Sequence, residues 1–374
     1  MPDPKQAFAL MSLAAAMLAL AAGIPALLIY RQIRRESLFP LTANWAISFN
    51  GLAILGAFVV IFLVPVVVQV LLSEGSFFEM LYGPDFPQAM SPYDSREPSV
   101  KQAAHLRGLW SQTFALPFQI GLIVAGLHFG LKASPAQIGL SRQRSGPNFV
   151  LGYLGWLVLT PLAFGVFMLA IHLFVPNPQK HPLMDLGPLA GLREWIAFAL
   201  QAAILMPILE EIFFRGLLLP WLLQAPKPEH GSAELTLHPR HRAHVCGAIA
   251  LVWCLQSPIL MERMQAGDWN DVLEILASFF FVLLLVPVYL FLPFHVGIRR
   301  WTRLDTPHEV RALLANAMLF AAVHANVWPS PIPLFLLALG LGWLAMRTRS
   351  IVPSIIVHGL FNSVAVVYLA LGGG

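Results

Sequence analysis

The sequence predicts an all-α, polytopic helical membrane protein with about ten transmembrane helices. Of its 374 residues, 57% are hydrophobic and only 11% are charged, whereas a soluble globular protein carries about 25% charged residues. The apolar residues fall in long runs, and a helix needs about 20 such residues to cross the hydrocarbon core of a bilayer. Together these observations argue against a soluble protein and make the lipid bilayer the first expected partner of the chain.

The apolar runs define the predicted spans in chain order. The first run resembles a signal peptide, but it is long and the stop-transfer pattern RQIRRES follows it, so we expect a retained helix. The polar, Pro-rich segment 74–107 is expected to form an extramembrane loop with an interfacial helix. The ten spans are predicted at residues 7–30, 43–73, 108–131, 149–175, 194–223, 244–261, 272–296, 309–327, 331–346 and 351–371.

The Lys and Arg residues between the spans predict the orientation. The odd-numbered loops hold about twice as many of them as the even-numbered loops and the tails, which places the odd loops in the cytoplasm and both termini outside. We therefore expect a multi-pass protein of the plasma (cell inner) membrane. The net charge of +4 is then a topology signal, and no nucleic-acid partner is predicted. Cys246 and Cys254 lie in one predicted span and indicate no disulfide framework.

Three ionisable residues occur in the fifth predicted span, within LEEIFFRGLL (209–218). A charge at the centre of a membrane helix costs roughly 2.5–3.5 kcal/mol even on the lenient insertion scale. Glu211 and Arg215 are four residues apart, which predicts an ion pair on one helical face. Glu210 points about 100° away, and no basic residue lies three or four positions from it. Its partner must come from another helix, and such a carboxylate indicates a functional site.

Candidate partners of Glu210 lie near the C-terminus. His324 lies near the end of the eighth predicted span, and His358 and Asn362 share a face of the tenth. Each of these groups is costly to desolvate unless they meet, so we expect one polar cavity inside the membrane. Two chemistries are open at this point. A carboxylate and an imidazole can activate water while a histidine and an asparagine bind an oxyanion, or two histidines and a glutamate can hold catalytic zinc.

Three short motifs resemble one family of intramembrane proteases. EEIFFR (210–215), FAAVH (320–324) and HGLFN (358–362) are similar, in the same order, to the EExxxR, FxxxH and HxxxN/D motifs of the CPBP family. This family includes the type II CAAX prenyl proteases. The resemblance implies an endopeptidase that hydrolyses a peptide bond of a membrane-associated peptide or protein, with prenylated peptides as one candidate substrate class.

The resemblance also implies roles for individual residues. Glu210 would be the general base, and His324 would help to activate the same water. His358 and Asn362 would form the oxyanion hole. Glu211 and Arg215 would stabilise the site.

Family members have been described both as metalloproteases and as glutamate-dependent proteases, so the cofactor is either none or zinc. We favour a water activated without a metal, because Asn362 shares the face of His358 and no HExxH spacing is present. If zinc is bound, its ligands would be Glu210, His324 and His358.

The motifs divide the chain unequally. Residues 1–148 form an N-terminal transmembrane region without a recognised motif, and residues 149–374 form the protease-like domain. Family members usually pass almost directly from the first motif helix to the second, whereas an inserted two-helix segment at about 225–308 separates them here. The alternative is a non-enzymatic membrane protein, a transporter or an immunity-type interaction protein, in which the same polar residues line a pathway.

Overall fold

In the part of the chain that it describes, the computed structural model is mostly helical and contains no strand. This agrees with the predicted all-α membrane fold. The described part comprises Phe39, Trp45 and residues 47–74, 76–88, 98–141, 144–174, 191–224, 307–324 and 329–370. The predicted spans 7–30, 244–261 and 272–296 and the inserted segment therefore lie outside the described residues. The division of the chain at residue 149 stays a prediction.

Eight helices make up the described fold. Proline lies inside four of them, and one of these four also contains two widened π turns. The helices are α1 (Gly51–Glu74), α2 (Phe77–Tyr82), α3 (Pro98–Ala125), α4 (Ser145–Phe174), α5 (Leu192–Leu223), α6 (Pro307–Ala322), α7 (Pro331–Thr348) and α8 (Val352–Ala370). A π turn (Gly126–Gly130) extends α3, and a 3₁₀ turn (Pro135–Ile138) follows it.

Six of the described helices are long and apolar enough to cross a membrane, namely α1, α3 with its π turn, α4, α5, α7 and α8. The exact number of about ten spans is not established by these six. The helix α6 has 16 described residues, which is short of the roughly 20 that a bilayer requires. The helix α3 begins at Pro98, so the end of the predicted extramembrane loop 74–107 is helical. Which side of the membrane each end faces stays a prediction.

The helix α5 lies at the centre of the bundle. It contacts α1, α3, α6, α7 and α8, and every residue from Glu211 to Leu222 is buried. By contrast, α1 exposes large apolar side chains such as Leu52 and Leu71, as expected for a helix that faces lipid. A helix that is apolar on all sides must be surrounded by protein or lipid. The polar residues of α5 are therefore enclosed by other helices.

Hydrogen bonds tie the short helix α2 to the first turn of α5. The Tyr82 hydroxyl donates to Glu194 at 2.9 Å and accepts the Trp110 indole N–H at 2.7 Å. The Arg193 guanidinium contacts the same Glu194 carboxylate at 2.5 Å. Burial raises the pKa of Tyr82 to about 12, so this phenol remains a donor at every physiological pH. The network fixes the start of α5 relative to α2 and α3.

Glycines allow α8 to pack closely against α4. A Cβ atom on Gly152 would lie 2.7 Å from the Ile356 Cβ and 3.0 Å from the Pro353 carbonyl oxygen. On the same helix, a Cβ atom on Gly165 would meet nothing within 4 Å. Close approach through small residues is a common way for membrane helices to associate. The position of α8, which carries His358, thus depends on Gly152.

We expect Gly152→Ala to lower the thermal stability of the purified protein, because overpacking at a helix interface typically costs about 1–3 kcal/mol. Gly165→Ala is the matched control on the same helix and should leave the melting temperature unchanged or raise it, since alanine favours a helix. The melting temperatures of both variants in detergent test this account. Equal melting temperatures for the two variants would contradict it.

Candidate active site

Proline and a π turn shape α5 just before the acidic pair. Pro207 has no N–H group, so it leaves a preceding carbonyl without its helical partner, and the turn Gln201–Leu205 is widened to a π turn. The Asn362 amide donates to the Ala202 carbonyl oxygen at 2.9 Å. A Cβ atom on Gly359 would lie only 2.6 Å from the Ala203 carbonyl oxygen. A glycine is therefore required at position 359, where α8 crosses the Ala202 and Ala203 carbonyls of α5. These carbonyls lie shortly before the acidic pair of α5.

Glu211 and Arg215 form the ion pair that their spacing predicts. Arg215 Nη1 donates to Glu211 Oε1 at 2.9 Å, and both side chains are fully buried. Arg215 Nη2 lies 3.4 Å from the Ala338 carbonyl oxygen of α7, and the guanidinium lies 4.4 Å from the centre of the Phe320 ring of α6. A buried charge is tolerated only when it is paired and hydrogen-bonded. Arg215 achieves this by contacting three helices at once.

The same carboxylate oxygen of Glu211 also holds His358. The His358 Nδ1 lies 3.0 Å from Glu211 Oε1, and since an ion-paired carboxylate only accepts hydrogen bonds, Nδ1 donates. Glu211 thus connects Arg215 of its own helix with His358 of α8. This contact fixes the imidazole plane and directs Nε2 away from Glu211.

Glu210 faces that second imidazole nitrogen. Glu210 Oε2 lies 3.7 Å from His358 Nε2, which is too long for a direct hydrogen bond. Among the described residues, Oε2 has no hydrogen-bond partner. The Glu210 side chain is 19% exposed, whereas that of Glu211 is 0% exposed. His358 of α8 is therefore a residue of another helix that approaches Glu210 without bonding to it directly.

The ring of Phe320 lies beside both the His324 ring and the His358 ring. His324 lies just after α6, and its Nδ1 donates to the Phe320 carbonyl oxygen at 2.7 Å. The Phe320 ring lies 4.8 Å from the His324 ring and 5.7 Å from the His358 ring. Within the described part of the chain, the hydrogen bond of the His324 ring goes to Phe320 and not to Glu210. In a neutral ring with Nδ1 protonated, Nε2 is the nitrogen that can accept a proton.

Asn362 lies one turn after His358, as its spacing predicts. Its amide nitrogen, which the motif suggests as an oxyanion donor, is bonded to the Ala202 carbonyl oxygen. In this structure Asn362 therefore joins α8 to the π turn of α5.

Sequence reasoning missed one buried polar residue beside the site. Asn316 of α6 is fully buried, and its amide donates to the Phe214 carbonyl oxygen of α5 at 2.7 Å. The available signal was its position, because residues 316, 320 and 324 recur every four positions and share one helical face. A lone asparagine in the segment ALLANAMLFAA is as costly to bury as the histidines that were singled out.

The candidate zinc ligands Glu210, His324 and His358 do not form a metal centre in this structure. In the described ranges, no three His, Cys, Asp or Glu side chains lie close enough together to hold a metal ion. His358 uses Nδ1 for Glu211, and His324 uses Nδ1 for a backbone carbonyl. Glu210 and His358 approach one another, but His324 does not complete a ligand set with them.

Comparison with known proteins finds one family. Residues 289–364 match the family model described as type II CAAX prenyl endopeptidase Rce1-like. The match supports the CAAX-protease-like resemblance and covers the segments with His324, His358 and Asn362. The EEIFFR segment lies outside it, and the fold brings that segment to His358. Neither the curated proteins nor the solved structures give a match.

Removing one partner of the buried ion pair should destabilise the fold. We expect Glu211→Gln and Arg215→Met each to cost about 3–5 kcal/mol, because each leaves a charge buried without its counter-ion. The double variant should lose less than the sum of the two single losses. Chemical or thermal unfolding of the four proteins in detergent gives this double-mutant cycle. Additive losses would show that the pair has no coupling and that our account of α5 is wrong.

Proposed function

We propose that this integral membrane protein, which carries a CAAX-protease-like region, is an intramembrane endopeptidase that hydrolyses a membrane-associated peptide or protein. The observation that carries the proposal is the Glu210 carboxylate. Its Oε2 atom is buried without a described hydrogen-bond partner and lies 3.7 Å from His358 Nε2. A carboxylate in this condition inside a membrane protein indicates a functional group in need of a ligand. A water molecule that becomes the nucleophile fits this need.

Glu210 acts in this proposal as the general base. It takes a proton from the attacking water and returns it to the leaving amine, as a carboxylate held close to the reacting atoms can do. His324 assists through Nε2, because its Nδ1 proton is held by the Phe320 carbonyl. This assistance requires a water or substrate group to connect His324 with Glu210.

His358 stabilises the oxyanion that forms on the scissile carbonyl. In this role both ring nitrogens carry protons, with Nδ1 directed to Glu211 and Nε2 directed to the oxyanion. Two carboxylates, one guanidinium and one imidazolium then sum to zero, so the group places no net charge in the apolar bundle. Glu211 and Arg215 keep the imidazole in place. Asn362 is the second proposed donor, and for this it exchanges its bond to Ala202 for one to the oxyanion.

The substrate class follows from the position of the site. The site lies among helices that are long and apolar enough to cross the bilayer, so the scissile bond belongs to a segment that is anchored in or at the membrane. Prenylated C-terminal peptides are one candidate class, and the family match supports testing them first. An unmodified transmembrane peptide is the comparison substrate.

We expect Glu210→Gln to lower the hydrolysis rate by about 10²–10⁴-fold, because the amide cannot accept the proton of the water. The protein should remain folded, since the glutamine side chain has the same shape as the glutamate that it replaces. Glu79→Gln changes an exposed carboxylate of α2 and is the matched control. Cleavage of fluorescent prenylated and unmodified peptides in proteoliposomes measures both variants. Wild-type turnover in Glu210→Gln would show that the role given to Glu210 is wrong.

We expect the hydrolysis to proceed without a bound metal, because no three described His, Cys, Asp or Glu side chains are placed to hold one and Glu211 is engaged by Arg215 and His358. Purified active protein should contain well under one equivalent of zinc and keep its activity after dialysis against a strong chelator. Metal analysis and peptide cleavage on the same sample test this. Stoichiometric zinc, with activity lost on chelation and restored by zinc, would instead make Glu210, His324 and His358 the ligands.

A further inference from the structure

Two buried amide side chains make the same kind of contact in different parts of the bundle. Asn316 of α6 donates to the Phe214 carbonyl oxygen, and Gln119 of α3 donates to the Ile61 carbonyl oxygen, both at 2.7 Å. Both side chains are almost completely buried, and in both the amide oxygen has no hydrogen-bond partner in the described part of the chain. The two residues therefore carry a similar cost of burial.

The two accepting carbonyls differ in whether they already have a backbone N–H donor within their own helix. Ile61 lies four residues before Pro65 in α1, and since proline has no N–H, the Ile61 carbonyl has lost its helical donor. Gln119 replaces that donor, so its contact is explained by the stability of the fold. The Phe214 carbonyl already accepts the Leu219 N–H at the end of the π turn Ile212–Leu218. Asn316 therefore adds a second hydrogen bond to a carbonyl that does not require one.

The position of Asn316 on α6 gives a reason for this second hydrogen bond to the Phe214 carbonyl. Phe320 follows Asn316 by four residues on the same face of α6, and His324 lies four residues further on, just after the helix ends. The Phe214 ring lies 5.1 Å from the Phe320 ring. The Asn316 hydrogen bond thus sets how α6 is rotated about its axis and shifted along it, relative to the segment of α5 that carries the acidic residues. A leucine would fill the space without an unsatisfied oxygen, but it would not hold that register.

We propose that Asn316 is a positioning residue that sets His324 relative to Glu210 during peptide hydrolysis. This inference rests on the proposed function. Asn316 contacts the backbone of Phe214, and we give it no contact with substrate. Asn316 affects His324 through α6. The carbonyl that it contacts belongs to the π turn Ile212–Leu218, and π turns often occur at functional sites.

The test compares Asn316→Leu with Gln119→Leu, which are matched in burial and in the hydrogen bond removed. Asn316→Leu should stay folded, keep KM within about threefold and lower kcat about 10–100-fold, since a displacement of about 1 Å can have an effect of this size. Gln119→Leu should lower the melting temperature and leave kcat per folded molecule unchanged. Asn316→Ser, which keeps a small donor, should recover part of kcat and serves if Asn316→Leu does not fold.

A second measurement does not depend on turnover. NMR spectra of ¹⁵N-histidine-labelled protein should show shifted ring signals of His324 in Asn316→Leu and unshifted signals in Gln119→Leu. Unchanged His324 signals in a folded Asn316→Leu variant, or equal losses of kcat in the two variants, would overturn the positioning role. Absence of hydrolysis in the wild-type protein would refute the proposed function, and the role of Asn316 in hydrolysis with it. The NMR comparison then still decides whether Asn316 positions His324.

Discussion

Two neighbouring carboxylates in an apolar helix bundle are the constraint on which the rest of this structure depends. Glu211 Oε1 accepts from both Arg215 and His358, so Glu211 is ion-paired within its own helix and hydrogen-bonded from α8. The requirement that a buried charge be paired thereby brings α5 and α8 together. Glu210 remains outside this pairing and is partly accessible. One acidic residue is paired within the bundle, and the other is the residue to which we assign the chemistry.

Irregular backbone makes this pairing possible. Pro207 and the adjacent π turn leave carbonyls of α5 that Asn362 and the close approach of Gly359 cover. The second π turn, which contains Arg215, presents the Phe214 carbonyl to α6. A regular α-helix would satisfy the carbonyls before Pro207 internally, whereas the Phe214 carbonyl keeps its helical donor, Leu219, and accepts the Asn316 amide in addition. The two π turns of α5 therefore contact α8, which carries His358, and α6, which is followed by His324.

Much of this arrangement follows from patterns in the sequence. The apolar runs predict both ends of α4, α5, α7 and α8 and the C-terminal end of α1 to within a few residues, because a long apolar helix satisfies its backbone hydrogen bonds internally in lipid. The predicted second span begins too early, since α1 starts at Gly51. The number of spans stays a prediction, since α6 is short in the described chain. The ion pair follows from the four-residue spacing of Glu211 and Arg215. The expectation that Glu210 meets a residue of another helix follows from its desolvation cost, and His358 is that residue.

The sequence does not predict contacts that depend on rotamers and on helix register. Spacing shows that His358 and Asn362 share a face, but not that the Asn362 amide bonds to Ala202. Likewise, the motif includes His324, while its hydrogen bond to Phe320 depends on how α6 ends. Asn316 was overlooked because a single asparagine in an apolar run carries no motif. Its importance becomes visible only when the carbonyl that it contacts is known to have another donor.

The central claim is that a water molecule activated at Glu210 cleaves a peptide bond inside the membrane. The most direct test is cleavage in H₂¹⁸O by the purified protein in liposomes, with mass spectrometry of the products. The account predicts one ¹⁸O atom in the new carboxylate of the N-terminal product and no acyl-enzyme that hydroxylamine can trap, since Glu210 acts on water and forms no bond to substrate. A trapped acyl-enzyme, or intact peptides of both the prenylated and unmodified classes, would contradict it.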